Sequence, residues 1–231
     1  MAAAAQVADA TIDEKLRNRQ NTHNTQRWSD IDSRQSRNGK HFPVQRFKKT
    51  NPVMKTRVKQ LDLANVRPKR AGGIIYTEYG GATFFGLGID SKSHDITDFG
   101  GGMLYTICKP NSTTPIDRDV VHGALREFRE ETLGIFEDIT VSDVESCPVI
   151  YDSANLIIFI RMDVNPDTVC KKFNNTYTTI MKNPSSHNIP EICGITWLSW
   201  QQFQAAINDN NTLYARVRNF LHRADGFEEL L

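Results

Sequence analysis

Two arginines and three glutamates lie within six residues, from Arg126 to Glu131. On a helix, which turns about 100° per residue, Glu127, Glu130 and Glu131 share one face because they follow the i, i+3, i+4 spacing. Like charges at this spacing destabilise a helix by about 0.2–0.5 kcal/mol per pair, so the cluster requires a counter-charge. A hard divalent cation such as Mg²⁺ binds carboxylate oxygens and keeps waters for a phosphate substrate. The spacing therefore predicts a metal site on a helix.

The surrounding residues decide between this interpretation and an ordinary exposed acidic helix edge. A second stripe of the same segment is apolar and predicts the buried face of the helix, comprising Val121, Ala124, Leu125, Phe128 and Thr132. A glycine run, Gly100–Gly102, precedes the helix, and glycine allows backbone carbonyls to approach a metal or a phosphate closely. This context favours the metal site.

The segment Arg126-Glu127-Phe128-Arg129-Glu130-Glu131 resembles the core of the Nudix box, G-x5-E-x7-R-E-U-x-E-E-x-G-U, where U is a large apolar residue. The R-E-U-x-E-E core is complete. Gly134 lies one residue later than the glycine of the pattern, so Leu133 occupies that position. Arg118 occupies the position of the first glutamate of the pattern, and Asp117 and Asp119 flank it. The glycine run lies further upstream than the pattern allows, which predicts an inserted loop at Met103–Ile116.

The resemblance implies an α+β fold, an α/β/α sandwich with a mixed sheet. The box helix would pack on one face and C-terminal helices on the other. It also implies a hydrolase of diphosphate linkages that holds Mg²⁺ or Mn²⁺ through Glu127, Glu130, Glu131 and the backbone of Gly101. Such a cation would polarise phosphoryl oxygens and lower the pKa of the attacking water.

Three further roles follow from the resemblance. Arg126 would fix the box by ion pairing, with Asp117 and Asp119 as local partners, one of which can also cap the helix. Glu191, followed six residues later by Trp197, resembles the family's E-x5-W segment. Either Glu130 or Glu191 would serve as the general base, and the sequence leaves this choice open.

Charge divides the chain unequally. Residues 1–70 carry 16 Lys and Arg against 6 Asp and Glu, a net charge of +10, whereas residues 71–231 carry a net charge of −9. This asymmetry predicts a basic N-terminal region, disordered or partly helical, preceding a Nudix domain at 71–231. Its candidate RNA-binding residues are Lys48, Lys49, Lys55, Arg57, Lys59, Lys69 and Arg70. The alternative is a solvated basic wrap that packs Phe47 and Leu61 onto the domain.

Local patterns predict the remaining elements. Strands at Ile74–Tyr79 and Thr83–Ile89 flank Gly80-Gly81, a hairpin signal. A second hairpin joins 145–151 to 156–162, in which the apolar run 156–160 predicts a central strand. Residues 165–190, rich in Asn, Thr and Ser and interrupted by three prolines, predict a long loop. Helices are expected at 201–207 and 212–224.

The cysteines and the longest apolar runs give limited information on the compartment of the protein and on its partners. Cys108, Cys147, Cys170 and Cys193 form no C-x-x-C motif, which indicates reduced thiols in a cytoplasmic protein. No run approaches the ~20 apolar residues of a membrane span. The oligomeric state is left open.

Three functions remain open on the sequence. The leading one is decapping of mRNA, with the basic region holding the RNA. The second is hydrolysis of small nucleotides or diphosphoinositol phosphates, and the third is an inert RNA-binding module with a Nudix fold. Because Glu130 and Glu131 are both present, the residues favour an enzyme.

Overall fold

The computed structural model describes residues 52–105, 116–182, 184 and 189–231. Its strands are β1 (Met54–Arg57), β2 (Arg70–Tyr79), β3 (Ala82–Asp90), β4 (Ile96–Thr97), β5 (Phe99–Gly102), β6 (Pro148–Tyr151), β7 (Asn155–Arg161) and β8 (Ile192–Ser199). Its α-helices are α1 (Val120–Glu131), α2 (Val141–Val144), α3 (Pro166–Lys182), α4 (Trp200–Asn208) and α5 (Ala215–Arg223). Two 3-10 turns lie at Val58–Gln60 and Phe227–Leu230.

The strands form one mixed sheet in the order β1-β6-β7-β2-β3-β4. β2 and β7 are parallel, and the other pairs are antiparallel. The long strand β2 pairs with β5 along its first half and with β3 along its second half, while β8 pairs with β3. This arrangement brings the glycine run of β5 beside the centre of the sheet, close to α1.

One face of the sheet packs against α1 and α3. Ile75, Ile158 and Ile160 belong to the same buried cluster as Phe128 of α1 and Phe173 of α3. These sheet residues alternate along their strands with residues that point to the opposite face, as the two-residue period of a strand requires. Burial on this face positions the helix that carries the glutamates.

The opposite face packs against the C-terminal elements. The ring of Phe85 stacks on Phe203 of α4, with 4.4 Å between centroids, and Phe159 stacks on Phe227 at 4.8 Å. With helices on both faces of a mixed sheet, the predicted α/β/α sandwich of the α+β class is confirmed. The predicted hairpins are present too, and both Gly80 and Gly81 have positive φ at the first turn.

The described part of the predicted basic region contributes to this fold. β1 pairs with β6, and the side chains of Val58, Leu61 and Val66 are buried in the core. Leu61 therefore packs on the domain, as the alternative of a basic wrap proposed. Phe47 lies outside the described residues.

The prediction of a long loop at 165–190 was wrong for most of its length, because α3 spans Pro166–Lys182. The side-chain oxygen of Asn165 accepts hydrogen bonds from the backbone N–H groups of Asp167 and Thr168, which satisfies the start of the helix. Proline suits the first helical position because its missing N–H would have no partner there. Val169 and Phe173, at the i, i+4 spacing, are buried and fix the helix on the domain.

No helix in the described part of the chain is long and apolar enough to cross a membrane. Among the described cysteines, Cys147, Cys170 and Cys193 form no disulfide. Cys108 lies outside the described residues.

Candidate active site

The helix that carries the glutamates, α1, is fixed at both ends. Asp119 caps its start, accepting hydrogen bonds at 3.0 Å from the backbone N–H groups of Val121 and His122. The chain then leaves the helix through Leu133 and Gly134, which both have positive φ. A side-chain cap therefore begins the helix, and a left-handed turn ends it.

Arg126 pairs with Asp117 rather than with Asp119. Arg126 Nε lies 2.9 Å from Asp117 Oδ1 and Nη2 lies 3.0 Å from Oδ2, a two-point contact with a buried carboxylate. These hydrogen bonds raise the pKa of Arg126 above its usual range. Arg118, at the position of the family's first glutamate, has a side chain that is 76% exposed. The two aspartates thus divide the predicted tasks of capping and ion pairing.

The same guanidinium connects the helix, β5 and two glutamates. Arg126 Nη1 donates to Glu127 Oε1 at 2.8 Å and to Glu130 Oε2 at 3.3 Å, and Nη2 donates to the carbonyl oxygen of Gly102 at 3.0 Å. Arg126 therefore holds both carboxylates and the glycine run in one arrangement. In this structure it is a positioning residue for the acidic cluster.

Gly101 allows the Glu127 carboxylate to lie directly against the backbone of β5. A Cβ atom built on Gly101 would lie 2.2 Å from Glu127 Oε2, far inside van der Waals contact. Glycine is therefore required at this position for the observed approach. The glycine and the glutamate that the sequence predicted as metal ligands are in contact.

Glu131 lies deeper, beside a buried ion pair. Its Oε2 accepts a hydrogen bond from the backbone N–H of Gly100 at 2.9 Å. Burial, and secondarily the neighbouring Asp98, raise the pKa of Glu131 to about 9. Burial also raises the pKa of Glu127, although Arg126 opposes this shift.

The ion pair beside Glu131 joins Arg70 to Asp98, a contact that the sequence analysis missed. Arg70 Nη1 lies 2.6 Å from Asp98 Oδ2, and Nη2 lies 2.8 Å from Oδ1 and 2.7 Å from the carbonyl oxygen of Gly100. The Asp98 side chain is fully buried, and that of Arg70 is 13% exposed. Since 28 residues separate the partners, no local pattern could have indicated the pair.

The cluster offers carboxylate oxygens and a glycine carbonyl oxygen, which are the kind of ligand that Mg²⁺ prefers. Among residues 52–105, 116–182, 184 and 189–231, no three acidic, histidine or cysteine side chains converge at the spacing of metal ligands. Arg126 lies between Glu127 and Glu130 and provides their counter-charge instead. The raised pKa values of Glu127 and Glu131 indicate carboxylates whose ionised form is disfavoured by burial, a cost that a hard cation would offset.

A cleft of about 920 Å³ opens onto this cluster. It brings together the predicted catalytic residues Arg126, Glu130 and Glu191, although Glu191 lies sixty-one positions after Glu130. The other residues lining it are Gly101, Gly102, Glu127, Arg129, Glu131, Leu133, Gly134, Glu137, Ile180, Ile189 and Pro190. Every predicted metal ligand therefore lines the same cleft.

The predicted RNA-binding residues, unlike the predicted metal ligands, do not lie together in the cleft where the structure describes them. Lys48 and Lys49 lie outside the described residues. Lys55 donates to the carbonyl oxygen of Asp225 at 2.6 Å, and Arg57 donates to the carbonyl oxygens of Ser146 and Leu230. Arg70 is held in the ion pair with Asp98.

Lys59 and Lys69 are exposed. Of the five candidate RNA-binding residues that the structure describes, none is among those lining the cleft. Three of the five have contacts that hold the domain together.

No family model matches this sequence, and no curated protein sequence is detectably similar to it. Several solved structures are similar in part, among them two of an Ap4A hydrolase. A crystal structure of C. elegans Ap4A hydrolase is 20% identical, covering 70% of this chain and 98% of its own, with a TM-score of 0.36. A binary complex of C. elegans Ap4A hydrolase is 18% identical, covering 71% of this chain and 100% of its own, with a TM-score of 0.35.

Proposed function

We propose that this chain is a Nudix-type hydrolase that requires a divalent cation and cleaves the diphosphate linkage of a nucleoside diphosphate joined to another group. One observation carries the proposal. Arg126, Glu127, Glu130 and Glu131, the four charged residues that the R-E-U-x-E-E core specifies, line a single cleft together with Gly101 and the distant Glu191.

Glu127, Glu130, Glu131 and the Gly101 backbone would hold Mg²⁺ or Mn²⁺, which when bound supplies charge stabilisation at phosphoryl oxygens and acidifies coordinated water. The residues of the chain supply the positioning. Arg126 holds Glu127 and Glu130, and Asp117 in turn holds Arg126. Positioning and electrostatic stabilisation are the main sources of rate in phosphoryl transfer.

Glu130 and Glu191 are the two candidate bases. Both are exposed within the cleft, so each can reach a water molecule beside a bound substrate. A general base must lie within hydrogen-bond distance of the proton that it accepts. Separate Gln substitutions of the two residues distinguish them, since only loss of the general base removes the acidic limb of the pH–rate profile, which is the fall in rate at low pH.

Capped mRNA is our leading substrate, because a basic N-terminal region of net charge +10 would bind RNA while the acidic cleft hydrolyses the cap. The contacts of Lys55, Arg57 and Arg70 within the domain leave this task to Lys59, Lys69 and residues 1–51. Small nucleotide derivatives are the alternative substrate, for which the basic region is an accessory.

The test is a substrate panel. The full chain is incubated with cap-labelled RNA, free dinucleotides and nucleotide sugars, and diphosphoinositol phosphates, each with Mg²⁺ or Mn²⁺. Glu130→Gln serves as the inactive control, because its side chain is 60% exposed and its loss should not unfold the protein. Release of a capped nucleoside diphosphate, absent with the variant, supports decapping.

Turnover of small nucleotides alone supports the alternative substrate. If none of these compounds is hydrolysed with either cation, the proposal is overturned and an inert RNA-binding module is favoured. A steep salt dependence of RNA binding, lost on removing residues 1–51, would show which segment contacts RNA.

A further inference from the structure

Four residues that line the cleft are apolar, and we call them its apolar wall. Leu133 lies at the exit of α1, Ile180 near the end of α3, and Ile189 and Pro190 immediately before β8. Ile189 is 61% exposed, the highest value among the exposed large apolar side chains in the described part of the chain. Three separate segments thus place apolar side chains in the same cleft as the acidic cluster.

Leu133 reaches this position through an unfavourable backbone conformation. Its φ is +57°, in the left-handed region where a branched, bulky side chain is rarely found. In the Nudix pattern this position is a glycine, which adopts such angles without strain. Strained residues that persist are concentrated at functional sites. The backbone at position 133 favours glycine, but the chain has a leucine there, and the leucine side chain lines the cleft.

The charge of the cleft restricts what the apolar wall can bind. Its lining includes five glutamates, at positions 127, 130, 131, 137 and 191, and two arginines. Both arginines have protein partners, since Arg126 pairs with Asp117 and Arg129 donates to the carbonyl oxygen of Ile139. Phosphates beyond the diphosphate would meet the carboxylates of Glu137 and Glu191, neither of which takes part in the Arg126 ion pairs. A planar base beside a single diphosphate would instead contact aliphatic side chains.

We propose that Leu133, Ile180, Ile189 and Pro190 form a subsite for the nucleobase of the substrate, and that Leu133 and Ile189 make the enzyme prefer nucleotides over polyphosphorylated inositols. This inference rests on the proposed function and narrows its substrate class. The diphosphate would lie at the glutamates, and the base would pack on the apolar wall.

Equilibrium binding tests the subsite without turnover. The probes are the α,β-methylene analogues of ADP and GDP, methylenediphosphonate, which lacks a base, and inositol hexakisphosphate, all with Mg²⁺. We expect the nucleotide analogues to bind about tenfold more tightly than methylenediphosphonate, because the base adds buried apolar area. Inositol hexakisphosphate should bind more weakly than either nucleotide.

Two variants and one control assign the effect to the wall. Ile189→Ala and Leu133→Gly should each raise the Kd of the nucleotide analogues about three- to tenfold and leave that of methylenediphosphonate unchanged. Ile189 is largely exposed and glycine suits the backbone at 133, so both variants should fold. Leu63→Ala, at a 38% exposed leucine that is not among the lining residues, should change neither Kd.

The outcomes separate this inference from the proposed function. Nucleotide binding no tighter than methylenediphosphonate, equal effects of the variants on both probes, or tighter binding of inositol hexakisphosphate would each overturn the subsite. If the wall binds nucleotides as expected but the panel shows no hydrolysis, the proposed function fails while the nucleobase subsite stands. If nucleotides are hydrolysed while the variants have no effect, only the subsite fails.

Discussion

Both oxygens of the buried Asp117 carboxylate are bound by Arg126, at 2.9 Å and 3.0 Å, and Asp117 Oδ2 also accepts a hydrogen bond from the backbone N–H of Leu104 at 2.7 Å. This carboxylate comes from the irregular front half of the Nudix-like segment. It connects the segment that follows the glycine run of β5 to the helix that carries the glutamates. The cluster therefore depends on a residue that lies one position before Arg118, which occupies the place of the first glutamate in the Nudix pattern.

Replacing Asp117 by Asn should lower kcat even under conditions in which the variant remains folded. The variant removes one of the three carboxylates paired with Arg126 and leaves Glu127 and Glu130. We therefore expect kcat to fall at least about tenfold and the free energy of unfolding to fall by about 1.5–3 kcal/mol, as for the loss of a hydrogen bond to a charged group. Steady-state kinetics and urea unfolding measure the two effects. Arg118→Ala, next to it and exposed, should change stability by less than about 0.5 kcal/mol. Equal effects of both substitutions would contradict this role.

Gly101→Ala should displace the Glu127 carboxylate while the protein remains folded. The added methyl group would overlap Glu127 Oε2, so we expect cation affinity to fall at least about tenfold. Gly102→Ala is the matched control, because a Cβ built there has no atom within 4 Å. Isothermal titration with Mn²⁺ compares them. The interpretation is wrong if the two alanine variants bind Mn²⁺ alike.

Arg70 should matter for stability rather than for RNA binding. Removing it leaves the fully buried Asp98 without its partner, a change that typically destabilises a protein by about 3–5 kcal/mol. We therefore expect Arg70→Ala to lower the free energy of unfolding by this amount in urea titrations. Lys69→Ala, at the exposed neighbour, should leave it nearly unchanged. An Arg70→Ala variant as stable as wild type that loses RNA affinity would restore the RNA-binding assignment.

Without a cation, stability should decline as pH rises. The pKa of Glu131 is about 9 in the folded protein against 4.5 ordinarily, so between these values the unfolded chain loses the proton first. The protonated Glu131 side chain therefore contributes most to stability below about pH 4.5. This contribution to the free energy of unfolding is lost progressively as pH rises to about 9. Thermal melts in EDTA should show this decline, and Glu131→Gln should flatten it. The same slope in variant and wild type would exclude Glu131 as its cause.

The sequence predicts interactions between residues close along the chain better than interactions between distant ones. The Gly80-Gly81 hairpin and the glutamate helix were predicted because turn residues and apolar spacing are local signals. The helix α3 was missed because its many Asn and Thr residues concealed Val169 and Phe173, whose burial against the domain stabilises it. The pair between Arg70 and Asp98 had no local signal, and so Arg70 was assigned to RNA by its charge.

The most direct test of the central claim is a Mn²⁺ titration followed by electron paramagnetic resonance, which counts bound ions without requiring a known substrate. Wild type should bind Mn²⁺, and Glu127→Gln and Glu131→Gln should each weaken binding at least about tenfold, as loss of a ligand does. Glu137→Gln, which also removes a carboxylate from the cleft but lies outside the cluster, should bind like wild type. Identical affinities in all four proteins would contradict a metal site at these glutamates, and with it the proposed hydrolase.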